Sequence, residues 1–373
     1  MKSIVRSRGK ALVILVGLLV SVWGGASADA TPEIQHVAPA QLAYATGTAR
    51  TLPAVWIAWA DGSAPRRLGP GLDPLVSPNG GAVAAALFGA TANSEQGPAL
   101  GLYATGEPGK LLGEYLSLAA VTVTPLAWSP DSRYLAVAMQ STAVTNAGVR
   151  SGLAVIDTTS RTVTTIAHGQ TYGASFAPGA SFAPGTSDRL VFARAPSLLL
   201  SAPTNLYTSM PDGSGLKQLT HDGRSLYPMW GARYIAYDRE RPRRNDASVF
   251  QIWLTPTNGG RSRRLTDLPA RTLVSGLVPL AFSDDGSRLL AQYEGQDTSE
   301  AWTVRVPSGR ARRITVHGQP VQAAGLSRDG STVLVNEQGF EGPPSEGRVA
   351  AVPFGGGRPR VLVAHGSQAS WNR

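Results

Sequence analysis

The sequence predicts an all-β fold in which four-stranded sheets repeat around a closed ring, and three observations predict it. A turn-centred phrase, "LAWSPDSRYLAVAM" at Leu126 to Met139, returns as "LAFSDDGSRLLAQY" at Leu280 to Tyr293 and in weaker copies elsewhere. The apolar or aromatic residue before the turn falls at Val76, Trp128, Phe182, Trp230, Phe282, Leu326 and Trp371, in steps of 52, 54, 48, 52, 44 and 45 residues. The last copy holds a single strand, "ASWNR", whereas the N-terminal part holds three strands with no innermost one. Self-similarity of this period marks a solenoid, propeller or array. Four short strands per period are the blade of a β-propeller.

Each element has a local reason. In Ser-Pro-Asp-Gly, Pro presets φ, Asp bonds its own backbone and Gly takes a left-handed conformation, which suits a tight turn between the first two strands. A second hairpin begins with an aromatic followed six residues later by Gly: Trp56/Gly62, Tyr103/Gly109, Tyr207/Gly213 and Trp253/Gly259, with Trp302/Gly309 one residue longer. An Arg- or Thr-rich fourth strand follows ("PRRLG", "LKQLT", "RRLT", "RRIT", "PRVLV"), and "LAVIDTTSRTVTTIA" is the same hairpin without the Gly. No long stripe of 3.6-residue period competes with these strands.

The ends complete the ring. "QLAYATG", "AVWIAWA" and "PRRLG" read as second, third and fourth strands, and the C-terminal "ASWNR" supplies the first. The reading is a seven-bladed β-propeller closed by a C-terminal strand joining N-terminal strands, which leaves no free sheet edge. Six blades with an N-terminal extension are the alternative. Within the duplicated "GASFAPGASFAPG", Phe182 is preferred to Phe176 as the blade residue, because the turn must deliver "DRLVFAR" directly.

Composition sets the compartment. Lys2, Arg6, Arg8 and Lys10, the apolar run "ALVILVGLLVSVWGG" and the small residues "ASA" at Ala26 to Ala28 form a signal peptide over residues 1–28, with a single propeller domain at 29–373. A membrane anchor is the alternative; the run of 15 is short for a span of about 20. The expected location is extracytoplasmic, secreted or periplasmic. No Cys is present, so packing alone holds the fold. The formal charge of +9 falls to +5 once the four leader bases are removed, leaving 30 bases against 25 acids. That is too sparse for a nucleic-acid face. No stable membrane insertion after cleavage and a monomeric state are expected.

"AWSPDSRYLAVA", "AFSDDGSRLLA" and "LSRDGSTVLV" resemble the WD40-like PD40 repeats of TolB-type propellers. The resemblance covers essentially all of the mature chain and implies a propeller fold. TolB carries an N-terminal α/β domain; here 12 residues lie between Ala28 and the first strand, so none is expected. Related propellers precede serine peptidase domains, which need a Gly-x-Ser-x-Gly elbow that this sequence lacks.

Candidate chemistry is confined to loops. His168, His221, His317 and His365 each follow a fourth strand ("IAHG", "LTHDG", "TVHGQ", "VAHGS"), so repeat symmetry places them on one rim. They read either as His-Gly turn elements or as a metal or acid/base cluster; blade spacing separates them too widely for shared metal ligation. Asp222 and Asp267 suit turn capping as well as cation binding. The matched Trp residues (Trp128, Trp230, Trp371; Trp56, Trp253, Trp302) read as packing between blades rather than as a sugar platform. The Arg pairs Arg66/Arg67, Arg263/Arg264 and Arg312/Arg313 read as protective outer edges.

Loops between second and third strands share the histidine rim and vary most. "DRERPRRNDAS" is basic, with Arg239, Arg241, Arg243 and Arg244; "EGQDTSE" and "EQGFEGPPSEG" are acidic. Variable loops on a rigid scaffold suit recognition. The expectation is a protein- or envelope-polymer-binding scaffold through Arg239, Arg241, Arg243, Arg244, His168, His221, Asp222, His317 and His365, without cofactor, bound metal or catalytic residue. A metal-dependent polysaccharide lyase, or a glycoside hydrolase, at the channel mouth through His221, His317 or His365 is the alternative.

Overall fold

A computed structural model describes residues 40–47, 51–87, 99–116, 121–141, 151–179, 188–196, 202–242, 248–269, 274–296, 298–337 and 343–372. The chain opens with three strands whose innermost partner comes last: β1 (Gln41–Thr46), β2 (Ala54–Trp59) and β3 (Arg66–Pro70) of sheet I. Sheet II is β4 (Leu72–Val76), β5 (Ala82–Leu87), β6 (Ala99–Ala104) and β7 (Leu111–Tyr115). Sheet III is β8 (Val121–Trp128), β9 (Tyr134–Ser141), β10 (Gly152–Asp157) and β11 (Thr162–His168). Sheet IV is β12 (Gln170–Phe176), β13 (Leu190–Ala195), β14 (Asn205–Ser209) and β15 (Lys217–Gln218). Sheet V is β16 (Ser225–Trp230), β17 (Tyr234–Pro242), β18 (Ser248–Pro256) and β19 (Arg263–Arg264). Sheet VI is β20 (Val274–Phe282), β21 (Arg288–Gly295), β22 (Thr298–Arg305) and β23 (Ala311–Arg313). A small hairpin, β24 (Thr315–Val316) and β25 (Gln319–Pro320), leads to sheet VII: β26 (Gln322–Leu326), β27 (Thr332–Glu337), β28 (Arg348–Pro353) and β29 (Arg360–Val363). Finally β30 (Ser367–Trp371) returns to β1, with Leu42 opposite Trp371 and Ala43 opposite Ser370. The Asn372 side-chain oxygen accepts from the Gln41 N–H at 2.6 Å.

The repeated turn phrase is a hydrogen-bond circuit. In sheet VII the Ser327 hydroxyl donates to Asp329 at 2.6 Å and accepts from the Thr332 N–H at 2.9 Å, which starts β27. Asp329 also accepts from the Ser331 N–H at 2.9 Å. Ser283, Asp285 and Arg288 reproduce the circuit in sheet VI, and Ser77, Asn79 and Ala82 in sheet II. The second hairpin needs its glycine for a different reason. Gly62 sits at φ +87°, and an added Cβ would lie 2.0 Å from the Leu362 carbonyl oxygen of the neighbouring sheet.

The core lies in the seams between sheets. Val76 packs with Val55 and Ile57 of sheet I, Trp128 with Leu100 and Leu102 of sheet II, and Phe282 with Ile252 and Leu254 of sheet V. Leu326 packs with Leu290 and Ala301 of sheet VI, and Trp371 rests on the cluster holding Leu334 and Val349 of sheet VII. Third-strand aromatics join the same seams: Trp56, Tyr103, Tyr207, Trp253 and Trp302 all contact these clusters. The matched aromatics therefore pack sheet against sheet. The Arg pairs lie on β3, β19 and β23, and Arg66 donates across a seam to the Thr105 carbonyl at 3.0 Å.

Two features depart from the repeat. In sheet IV the innermost strand ends at Phe176, which is buried and pairs with Leu190. The expected blade residue Phe182 lies outside the described residues. The duplication therefore enlarges the connection between the first and second strands of sheet IV rather than the one between blades. Sheets V and VI are continuous, because β18 and β20 pair in parallel over Ser248/Val274, Val249/Ser275 and Phe250/Gly276. Two-residue β19 covers only Trp253 and Leu254 of β18, and β20 takes the uncovered start of that strand. Gly276 permits this approach, since an added Cβ would lie 2.1 Å from the Phe250 carbonyl oxygen.

Two outcomes test this architecture. Deleting Ser367–Arg373 removes the closing strand and is expected to lower the melting temperature by at least about 10 °C, read by calorimetry, since several kcal/mol of packing go with it; an unchanged transition would refute ring closure. Separately, Asp285 and Asp329 are held down to about 2 chiefly by the Ser283 and Ser327 hydroxyls, and Asp157 to about 2 by Arg133. Their folded values lie below the unfolded value of about 3.9, so the stability they add is complete above about pH 4 and is lost as pH falls towards about 2. The Asp329→Asn variant keeps the acceptor oxygen, as Asn79 does natively. It should melt slightly below the parent at pH 7, where only the parent has the charge-assisted bonds, and lose less stability than the parent on acidification.

Candidate functional site

Strand direction alternates within each sheet, so the loops entering the innermost strands and the loops joining second to third strands meet on one rim. Side chains of second strands tie the two sets together. Arg194 of β13 donates to the His168 carbonyl at 2.7 Å, and Gln292 of β21 accepts from the Ala323 N–H at 3.0 Å. Asn336 of β27 accepts from the Ala369 N–H at 3.2 Å.

His221, His317 and His365 occupy loops entering innermost strands, whereas His168 closes the fourth strand β11 opposite Gly152; all four are exposed. His317 (φ +50°) and Gly318 (φ +80°) form the two-residue turn of the β24–β25 hairpin, and Gly169 follows His168 at φ +99°. Gly366 lets the chain after His365 lie against Tyr44, where a Cβ would approach the ring to 2.7 Å. Among the described residues no histidine ring has a hydrogen-bond or ion-pair partner, and no three His, Asp or Glu side chains converge as a metal site would require.

The charged loops contribute less free charge than their composition implies. Asp222 accepts from the Arg224 N–H and from the Ser225 hydroxyl, each at 2.9 Å, and pairs with Arg239 Nε at 3.0 Å. The Arg239 guanidinium lies over the Trp253 ring, 4.5 Å from its centroid. Strand β17 runs on through Pro242, so Asp238 and Arg239 belong to the sheet and not to the loop. Asp238 is buried, and desolvation, with Glu240 beside it, pushes its carboxyl well above the usual carboxylate range. Arg241 remains exposed, opposite Val249. Arg243 and Arg244 lie outside the described residues. On the acidic side, Glu300 is buried and accepts from Trp302 Nε1 and Arg313 Nη1, each at 3.1 Å. The rim therefore presents Arg241 and the histidines, while Arg239, Asp222 and Glu300 act internally.

A second group emerges on the innermost strands. Each strand bulges midway, and four of the bulge residues have positive φ: Asp73 (+50°), Gly173 (+74°), Tyr227 (+42°) and Gln368 (+52°). Tyr172 and Tyr227 meet edge to face at 5.9 Å, and Gln368 Oε1 accepts from the Asp73 N–H at 3.2 Å. Tyr227 is 39% exposed; partial desolvation, with Asp238, Tyr172 and Glu294 beside it, raises its phenol, which stays a hydrogen-bond donor at neutral pH. Non-glycine residues held at positive φ mark strain that concentrates at functional sites. The sequence signal for two of them was a proline inside a strand, at Asp73-Pro74 and Tyr227-Pro228. The group offers aromatic edges, an amide and a neutral phenol, which is binding chemistry.

Neither a family model nor a curated protein matches the sequence. Solved structures do match. The β-propeller domain of the Trilobed protease from Pyrococcus furiosus, which has an open velcro topology, has a TM-score of 0.58 at 12% identity, over 88% of this chain and 95% of that one. An oligogalacturonate lyase in complex with manganese has a TM-score of 0.53 at 12% identity, over 79% of this chain and 83% of the other. TolB from Acinetobacter baumannii matches over 89% of this chain and 66% of its own, at 14% identity and a TM-score of 0.48. The shared feature is the fold: this chain is a β-propeller, and TolB propellers are among the structures it resembles.

Arg239 is expected to be the structural hinge of the basic region. Arg239→Ala strips the half-buried Asp222 of its partner and Trp253 of its cation, and should cost about 1–2 kcal/mol in denaturant unfolding. A double-mutant cycle with Asp222→Asn should show coupling between the pair; strictly additive effects would refute it.

Proposed function

We propose that this chain is an exported β-propeller that works as a binding module for a protein or a cell-envelope polymer, through the loops of the histidine rim. The observation that carries the reading is the asymmetry of the ring. Short turns built on serine with aspartate, or with asparagine in sheet II, recur on one rim in sheets II, III, VI and VII, whereas loops of unequal length and charge gather on the other. On that rim Arg241 and the four histidines stand exposed, and Tyr172 and Tyr227 edge the innermost strands below them. A stiff ring with one variable rim is the arrangement in which recognition resides on loops.

The basic, apolar and small-residue pattern of residues 1–28 supports export, and no helix among the described residues is long and apolar enough to cross a membrane. N-terminal sequencing of the processed protein should begin just after Ala28; an intact Met1 would refute export by this route. The lyase alternative requires His221, His317 or His365 to work together, and their separate, exposed turn positions lend it no support.

Capture from envelope fractions tests the rim. The wild-type chain should retain a partner that the combined Arg241→Ser, Arg243→Ser and Arg244→Ser variant, at unchanged melting temperature, retains at least about fivefold less, as expected when charged rim groups steer association. Equal capture by the two proteins would overturn the assignment to this loop.

A further inference from the structure

We infer that the opposite rim carries a second, separate site: a pocket between sheets IV and V that binds a small organic carboxylate with an apolar body, either free or as the C-terminus of a peptide. The pocket arises from a defect in the repeat. In sheets II, III, VI and VII the second strand begins six positions after the aromatic or apolar blade residue, as in Val76 to Ala82, Trp128 to Tyr134, Phe282 to Arg288 and Leu326 to Thr332. In sheet V the same connection, Trp230-Gly231-Ala232-Arg233-Tyr234, is two residues shorter, closed by the Gly231 N–H donating to the Tyr234 carbonyl at 2.9 Å. The serine and the aspartate of the circuit are both absent.

Intact turns fill their seams. Asn79 N–H donates to Ser132 Oγ at 2.9 Å across the seam between sheets II and III, and the Asp284 N–H donates to the Arg328 carbonyl at 2.8 Å across the seam between sheets VI and VII. The shortened turn likewise reaches forward, to sheet VI: an added Cβ on Gly231 would reach the Phe282 ring at 2.6 Å, and one on Gly286 would lie 3.4 Å from Ala232 Cβ. On its other side a cavity of about 320 Å³ remains, in the lower range of small-molecule sites.

Its lining has a definite chemistry. Trp230 and Leu219 supply an apolar wall, Thr208 and Thr257 supply hydroxyls, and Arg189 and Lys217 supply two positive charges. Among the described residues no acid lines it and neither cation forms an ion pair. Thr208 and Lys217 are paired across β14 and β15, so these groups sit side by side on one face of sheet IV. Loss of the turn aspartate thus leaves two cations beside an exposed part of an indole. A carboxylate satisfies both cations, a hydrocarbon body covers Trp230, and the volume admits about one ring with a short chain. The site does not depend on the function proposed for the histidine rim.

Calorimetric titration of the full chain with phenylacetate, its neutral analogue phenylacetamide, and a pentapeptide ending in Phe with either a free or an amidated C-terminus tests the site. Saturable binding of phenylacetate or of the free-terminus peptide, weakened at least about tenfold in the neutral or amidated form, is expected, since one charge-assisted contact is worth about that factor. Which of the two probes binds identifies the source of the carboxylate. Lys217→Gln and Arg189→Gln should each weaken binding about tenfold at unchanged melting temperature, whereas Arg241→Ser on the other rim should leave it unaltered. No saturable binding by either acid, equal binding of acid and amide, or insensitivity to both pocket substitutions overturns the proposal.

Discussion

Every sheet of this protein depends on its neighbour for a hydrophobic face. A four-stranded sheet of strands two to nine residues long cannot bury both faces alone, and here each seam is filled by the first-strand anchor and, in most sheets, a third-strand aromatic pressed against the sheet before it. The constraint is circular: the set is satisfied only if the last sheet covers the first. Pairing of β30 with β1 meets that condition with backbone hydrogen bonds, and Trp371 carries the same seam duty there that Trp128 carries internally. With no disulfide, this closure is the one place where chain ends hold the fold together.

The repeat separates two jobs. Turn serines and aspartates on one rim fix strand register through short side-chain circuits, and they tolerate exchange of Asp for Asn because the acceptor oxygen is what matters. The opposite rim uses His-Gly turns whose imidazoles stay in solvent, and there Asp222 caps its own turn and pairs with Arg239. Where the register device is missing, in sheet V, the molecule acquires a cavity lined by two cations, Arg189 and Lys217. Where the fourth strand is short, also in sheet V, the next sheet joins it directly.

Much of the fold was legible in the sequence, because the turn circuit needs particular residues at fixed offsets. Ser327, Asp329 and Thr332 announce themselves in a way a generic loop does not. The closing strand was legible from counting strands at the two ends. The choice between Phe176 and Phe182 was not, because a duplicated six-residue segment repeats its own local signal, and only pairing with Leu190 decides. The candidate site was legible in position and less so in chemistry. His221, His317 and His365 were placed in the loops they occupy, whereas His168 belongs to the end of β11. Arg239 was read as a loop cation because nothing local reveals that β17 continues to Pro242, or that Trp253 and Asp222 wait on either side. The buried acid Asp238 was hidden for the same reason.

The continuous backbone across sheets V and VI makes the ring mechanically uneven. Seams held only by side chains can slide a little as rotamers adjust; a parallel pair of strands with Gly276 set against Phe250 cannot do so without breaking peptide hydrogen bonds. Sheets V and VI therefore move as one double-width plate, whereas between sheets IV and V the same parallel contact shrinks to the single bridge of Thr204 with Arg224, and shear within the circle is taken up more readily there.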